Sequence, residues 1–180
     1  ELHVSTQAST TNWHTVQMWK ELGATRVVAA REVSLADLKE MKDNVDIEIE
    51  SFVHGSMCIS YSGRCLLSNY MTGNRDANRG QCSQSCRWKY SLVESNRPGE
   101  YYPIEEDEHG TYIFNSKDLC LIHRIPDLYE AGIDSLKIEG RMKSVHYCAT
   151  VAKVYRTAID TYLKEGKDWY VRPEWIAELE

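Results

Sequence analysis

Apolar residues along the first fifty positions alternate between two periods. Leu2 to Thr6 reads as a strand, with Gln7, Ser9 and Thr10 as the polar loop leaving it. From Trp13 the period lengthens. Trp13, Val16, Met18, Trp19 and Leu22 suit a helix that Asn12 caps and Gly23 closes. Arg26 to Ala30 is a short buried strand. Ser34 stands at capping-box distance from Asp37, and Leu35, Leu38 and Met41 give the second helix its apolar face. Asp46 to Glu50 predicts a third strand. Strand and helix recurring at roughly twenty-residue spacing is the pattern of parallel βα units.

The pattern lapses from Ser51 to Gly110, a stretch that carries Gly63, Gly73, Gly80 and a Pro98-Gly99 turn, with a hairpin expected near Lys89 to Val93. A loop of that length inside a domain is uncommon unless it is functional. Regular structure then resumes. Tyr112 to Phe114 reads as a strand, Asn115-Ser116 as the cap of a helical turn through Cys120, and Asp127 to Ala131 as a helix stopped by Gly132. Asp134 to Ile138 is a fourth core strand. Ser144 opens a long helix to Lys164, whose stripe is Val145, Cys148, Val151, Ala152, Tyr155, Ala158, Ile159 and Tyr162. The start reads as if it enters mid-strand and Glu174 to Glu180 as a helix cut short, so an excised piece of a longer protein is expected.

Four βα-type strands predict an α/β fold: an incomplete, half TIM-like (β/α) barrel with a long Cys-rich insertion over residues 51–110. Function in such barrels sits at the C-terminal ends of the strands. Those ends carry Ser5 and Gln7, Arg31 and Glu32, Glu50 and His54, and Glu139, Arg141 and Lys143, which would share one rim with the cysteine segment.

At 180 residues and 42% hydrophobic, the chain can build one domain with its own core. No apolar run has the length of a membrane span and no signal peptide opens the sequence, so a cytoplasmic protein is expected. The net charge of −6 argues against a generally nucleic-acid-binding surface. The cysteine region departs from that balance: Arg64, Arg75, Arg79, Arg87 and Lys89 stand there against the single acid Asp76, while Glu105 to Glu108 flank it. Tyr61, Tyr70, Trp88 and Tyr90 interleave with these cations. Rings beside arginines suit stacking on unpaired bases, although core packing is the commoner use of an aromatic residue.

Five of the six cysteines lie between Cys58 and Cys120, spaced Cys58-x6-Cys65-x16-Cys82-x3-Cys86-x33-Cys120. A chain able to build a core without staples points to a metal or redox role rather than disulfides. Zinc sites favour tight paired knuckles, and only Cys82 to Cys86 has that form. Iron–sulfur clusters accept looser thiolate spacings, which leaves cluster and zinc both open. Cys148 falls on a helix stripe and reads as apolar filling. No H-E-x-x-H or G-x-S-x-G motif is present, but Glu50, His54 and Ser56 place an acid, a base and a hydroxyl close together, so Glu50 and His54 are catalytic candidates. Arg141 and Lys143, after a core strand, could clamp carboxylates or phosphates.

The run Glu50-x-Phe52-x-x-Gly55-Ser56-Met57-Cys58-x4-Gly63-x-Cys65-x-Leu67-Ser68 resembles the signature of the collagenase-like peptidase family U-32. Similarity continues through Ser5-Thr6-Gln7, Ala30-Arg31-Glu32, Gly80-x-Cys82-x3-Cys86-Arg87-Trp88, Asn115 to Cys120 and Lys137 to Ser144. The tail Trp169 to Glu180 is similar to the family's branch of tRNA uridine hydroxylases, which make 5-hydroxyuridine at the wobble position using prephenate. The resemblance implies that residues 1–180 are the C-terminal half of a barrel domain, with a half-barrel upstream and a small β domain downstream. It implies a 4Fe-4S cluster on Cys58, Cys65, Cys82 and Cys120, with Cys86 as the alternative to Cys82. It further implies a substrate site of Arg31, Glu139, Arg141 and Lys143, with Arg141 and Lys143 facing the prephenate carboxylates. The tRNA anticodon loop would lie on Arg75, Arg79, Arg87, Trp88 and Lys89, and a homodimer could form through the exposed half-barrel edges. A collagenase-like peptidase and a zinc-ordered RNA-binding module are the alternatives.

Overall fold

The computed structural model describes residues 1–88, 90–103 and 118–180. Its strands are β1 (His3–Val4), β2 (Arg26–Val28), β3 (Glu48–Gly55), β4 (Ser91–Leu92), β5 (Tyr102–Pro103), β6 (Leu119–Cys120) and β7 (Ser135–Ile138). Four of them, β1-β2-β3-β7, lie parallel in chain order, with Val4 opposite Val27, Val27 opposite Ile49 and Phe52 opposite Lys137. With β6 antiparallel at the end of β3, they make an open five-stranded sheet. β4 and β5 form a separate antiparallel pair, as the hairpin pattern predicts.

Helices α1 (Trp13–Glu21) and α2 (Leu35–Asn44) return the chain between the first three strands, α3 (Leu67–Thr72) follows the first cysteine loop, and α4 (Ile125–Glu130) precedes β7. The long α5 (Val145–Glu165) and α6 (Pro173–Leu179) close the chain. Local chemistry sets these helix starts. Asn12 Oδ1 accepts from Thr15 N–H at 3.0 Å, Ser34 and Asp37 cap each other's N–H groups, and Ser144 Oγ accepts from Tyr147 N–H. One face of the sheet buries Val27, Ile49 and Val53 against Val16, Leu38, Met41, Leu128, Val151 and Ala158. The long helix turns a narrower stripe inward than its pattern suggests: Val145 is 88% exposed and Ala152 lies on the surface, while Val154 is buried in their stead.

The opposite face carries a ladder of charge. Arg26 pairs with Glu48 at 2.7 Å, and Glu50 receives Ser135 Oγ at 2.9 Å and Lys137 Nζ at 3.1 Å. Burial alone pushes the Glu50 carboxyl up. The Ser135 and Lys137 hydrogen bonds, with the charges of Lys137 and Arg26, outweigh it and hold the group below the usual carboxylate range.

Two expectations change. β3 runs on to Gly55 instead of stopping at Glu50, because β7 offers it a partner as far as Glu139 N–H, which donates to His54 O at 2.9 Å. Leu119–Cys120 is strand β6, not part of a helical turn. The edge of β3 beyond β2 needs hydrogen-bond partners, and Leu121 N–H supplies one to Val53 O. The expected strand Tyr112 to Phe114, the Asn115-Ser116 cap and Lys89 lie outside the described residues.

Candidate functional site

A cavity of about 610 Å³ opens at the C-terminal ends of the four parallel strands. Ser5 and Gln7 follow β1, Arg31 follows β2, Ser56 to Cys58 follow β3, and Glu139 and Arg141 follow β7. The cysteine segment forms the remaining wall with Cys65, Cys82 and Cys86. This is the shared rim that the strand periodicity predicts, with Glu32, Lys143 and the catalytic candidates Glu50 and His54 outside the lining.

Backbone close approaches seat that wall. Gly63 has φ +74°, and a Cβ there would overlap the Gln7 carbonyl oxygen. Gly55, at φ +98°, lies equally close on the Glu139 carbonyl. Between them, Ser62 is tied to Glu32: its N–H donates to Oε1 at 2.5 Å and its hydroxyl to Oε2 at 2.8 Å. Arg31 N–H adds a bond to Ser62 Oγ at 3.3 Å. Further on, buried Ser68 of α3 accepts from Ser83 N–H at 2.9 Å, fixing the approach to Cys82.

All six cysteines are free thiols, and Cys58, Cys65, Cys82 and Cys86 share the cavity. Burial pushes the Cys58 and Cys86 thiols up, and neighbouring sulfurs reinforce this; a Ser60 backbone hydrogen bond and the Arg31 charge oppose it at Cys58. Gln84 N–H donates to Cys82 Sγ at 3.3 Å. Cys120 is exposed on β6 opposite His54, and Cys148 packs its sulfur over Gly140. Among the described residues no three His, Cys, Asp or Glu side chains converge as ligands of one metal ion. The donors that the cavity offers are four thiols, the ligand type that both iron–sulfur clusters and structural zinc sites use.

The cations divide into struts and open groups. Arg31 lies over the Phe52 ring at 3.8 Å, and burial pushes its guanidinium below the usual value, although Cys58 and Glu139 pull it back up. Arg141 lines the cavity, and its N–H donates to Glu139 Oε1 at 3.0 Å. Lys143 is drawn off the rim to Asp118 at 3.0 Å. Asp118 also holds Arg87 at 2.7 Å, and Arg87 donates to Met57 O at 3.1 Å. Arg75 braces the carbonyls of Gln81 and Cys82. Arg79, 83% exposed in its side chain, stands at the cavity mouth, and Trp88 is half-exposed.

His54 and Glu50 sit away from the cavity. A bulge between Phe52 and His54 turns the imidazole to the helix side, where Nδ1 lies 3.4 Å from Tyr155 OH and the Tyr147 ring is 6.0 Å away. Burial pushes His54 down from the ordinary imidazole value; Asp118 raises it and Lys143 lowers it further. Among the described residues no hydrogen bond joins Glu50, His54 and Ser56. Ser56, Lys137 and Gln84 are wall residues that sequence reasoning did not select. For Gln84 the one available signal is its place inside Cys82-x3-Cys86, since a non-glycine residue at φ +54° leaves no mark in sequence.

The chain is similar along its whole length to tRNA hydroxylation protein P1 of Bacillus subtilis, at 54% identity over 180 residues and 42% of that protein's length. It is 44% identical to tRNA hydroxylation protein P of Escherichia coli, over 88% of this chain and 44% of that protein. The 23S rRNA 5-hydroxycytidine C2501 synthase of E. coli is 35% identical over 93% of this chain and 24% of its own length. The chain thus spans less than half the length of these curated relatives. No solved structure matches it. The profile of peptidase family U32 matches residues 1–180, and with these identities the chain belongs to that family.

Proposed function

We propose that this chain is part of an enzyme that hydroxylates the wobble uridine of tRNA to 5-hydroxyuridine with prephenate as co-substrate. The observation that carries the reading is the cavity at the strand ends, where four free thiols meet Arg31, Arg79, Arg87, Arg141 and Lys137 around one carboxylate among the described residues, Glu139. The names of the relatives add RNA hydroxylation to that chemistry. On this reading the open sheet is half of a TIM-like (β/α) barrel, the cysteine segment is an insertion on its catalytic rim, and the rest of the barrel lies in the parent protein, in a cytoplasmic setting. A second copy could meet the open sheet edges.

Cys58, Cys65, Cys82 and Cys120 would hold a 4Fe-4S cluster, with Cys86, which shares the cavity, as the alternative to Cys82. When bound, the cluster supplies one-electron redox capacity. The chain's own residues do the rest. Arg31 and Arg87 offset thiolate charge, and Gln84 N–H supports Cys82. Arg141 offers the carboxylate-binding fork, Arg79 faces the RNA backbone, and Trp88 offers a stacking surface on its rim. Lys143, held by Asp118, fixes the loop beneath Arg141 rather than meeting substrate directly.

The test is anaerobic purification of the full-length protein, with iron and sulfide analysis and nucleoside mass spectrometry of tRNA from cells lacking and regaining it. Stoichiometric iron and sulfide, with 5-hydroxyuridine that disappears in Cys58→Ala, is the expected result. A colourless, iron-free protein whose loss leaves 5-hydroxyuridine unchanged overturns the reading.

A further inference from the structure

Among the described residues, five buried side-chain nitrogen or oxygen atoms have no hydrogen-bond partner. Three belong to residues lining the cavity: Arg31 Nε, Ser56 Oγ and Glu139 Oε2. Leaving such groups unpaired in the interior is costly, so three of them on residues of one cavity lining point to a guest that pairs them. Their chemistry restricts that guest. Arg31 only donates, ionised Glu139 only accepts, and Ser56 does either. An anion satisfying Arg31 would face the Glu139 carboxylate, and a cation satisfying Glu139 would face the guanidinium. A neutral group that presents a donor beside an acceptor satisfies both.

We propose that Arg31, Ser56 and Glu139 read the edge of an unpaired uracil base, with Glu139 accepting from its N3–H and Arg31 and Ser56 donating to the flanking carbonyls. The inference rests on the tRNA reading above and assigns the substrate base a place on the wall. Uracil carries acceptor, donor and acceptor in that order along one edge, and enzymes that modify bases read this edge after extruding the nucleotide. The groups are held in advance. Glu139 Oε1 is occupied by Arg141 N–H at 3.0 Å and Gln84 Nε2 at 3.1 Å, which leaves Oε2 as the reading atom. Ser56 follows Gly55, whose backbone lies against the Glu139 carbonyl, so hydroxyl and carboxylate keep a fixed relation. Arg31, its Cζ 3.8 Å from the centroid of the Phe52 ring, is steadied by that contact. The prephenate carboxylates fall to Arg141 on the same cavity.

The test measures equilibrium binding of the full-length, cluster-loaded protein to an anticodon stem-loop carrying uridine or 3-methyluridine at the wobble position. The methyl group removes the N3 donor. Binding about tenfold weaker for 3-methyluridine is expected, the loss that a hydrogen bond to a charged acceptor brings. In Glu139→Gln, with the cavity shape kept and the charge removed, the difference should shrink to about two- or threefold while iron and sulfide content stay at wild-type values. If Glu139→Gln loses iron, Glu139→Asp is the second variant, with its acceptor drawn back by one methylene and the same contraction expected. Equal wild-type affinity for the two stem-loops overturns the base-edge inference alone, provided the uridine stem-loop is bound and hydroxylated. A tenfold difference that persists in a cluster-loaded Glu139 variant also overturns it, since shape then excludes the methyl group. Failure to bind either stem-loop overturns this inference together with the tRNA reading.

Discussion

Removing the Glu32 carboxylate should release the cysteine loop without unfolding the sheet. Ser62 is 3% exposed and is bound through both its N–H and its hydroxyl to the two oxygens of Glu32, at 2.5 and 2.8 Å. Hydrogen bonds to charged groups contribute about 1.5–3 kcal/mol, but Glu32 is open to water, so about 1–1.5 kcal/mol for each bond is the fitting range. Glu32→Ala therefore removes about 2–3 kcal/mol from loop closure, which raises the open fraction by about 30- to 150-fold. The assay is alkylation of the chain with its thiols free, with mass spectrometry to assign each site. Where reclosing outruns labelling, the rate follows the open fraction. Cys58 and Cys65 should label about 30- to 150-fold faster in Glu32→Ala and at an intermediate rate in Glu32→Gln, which keeps one acceptor. Cys148, packed over Gly140 away from this loop, is the internal control. Rates for Cys58 and Cys65 within twofold of wild type would refute the clamp.

Three further outcomes follow from other contacts. Tyr155 is 3% exposed, donates to Val53 O at 2.9 Å and accepts from Leu121 N–H at 3.1 Å, so Tyr155→Phe should lower stability by about 1–2 kcal/mol in urea unfolding at unchanged m; a loss below about 0.3 kcal/mol removes its role as the tie between β3 and β6. Because burial holds His54 below its unfolded value of about 6.5, the unfolded chain takes up more protons there, and the stability present above that pH is lost as pH falls through it. His54→Gln should flatten the stability profile below about pH 6.5; parallel profiles for the two proteins refute the buried neutral imidazole. Gly55→Ala and Gly73→Ala both place a Cβ at positive φ, but only at Gly55 does it meet backbone. The Gly73 change should cost about 1–2 kcal/mol and the Gly55 change clearly more; equal losses would contradict the close approach at Glu139.

What could be read in advance was local. Asn12, Ser34 with Asp37, and Ser144 each cap a helix within four residues of themselves, so spacing alone found them. The rim was legible because residues that follow strands in a parallel sheet share one end. His54 was misplaced by the same rule. Strict alternation puts it on the face of Glu50 and Phe52, but one extra residue at Val53 inverts the face, and a bulge depends on which strand lies alongside. Lys143 and Arg87 read as free cations because Asp118, which occupies both, is distant in sequence from each. Ser56 was legible only as the hydroxyl of a local acid–base set, and its unpaired state becomes informative once its surroundings close over it.

The seating of the cysteine loop also sets a schedule. One shoulder, the Gln7 carbonyl under Gly63, exists as soon as β1 and β2 have formed; the other, the Glu139 carbonyl under Gly55, comes from β7. A ribosome that has released Cys86 must still add roughly fifty residues before Glu139 follows, about 3 to 10 s of synthesis. For those seconds the four thiols are present and their enclosure is not. An oxidant that arrives before β7 meets an open strand of cysteines and one that arrives afterwards meets an enclosed set, so protection of the thiols is timed by β7 and not by the cysteines themselves.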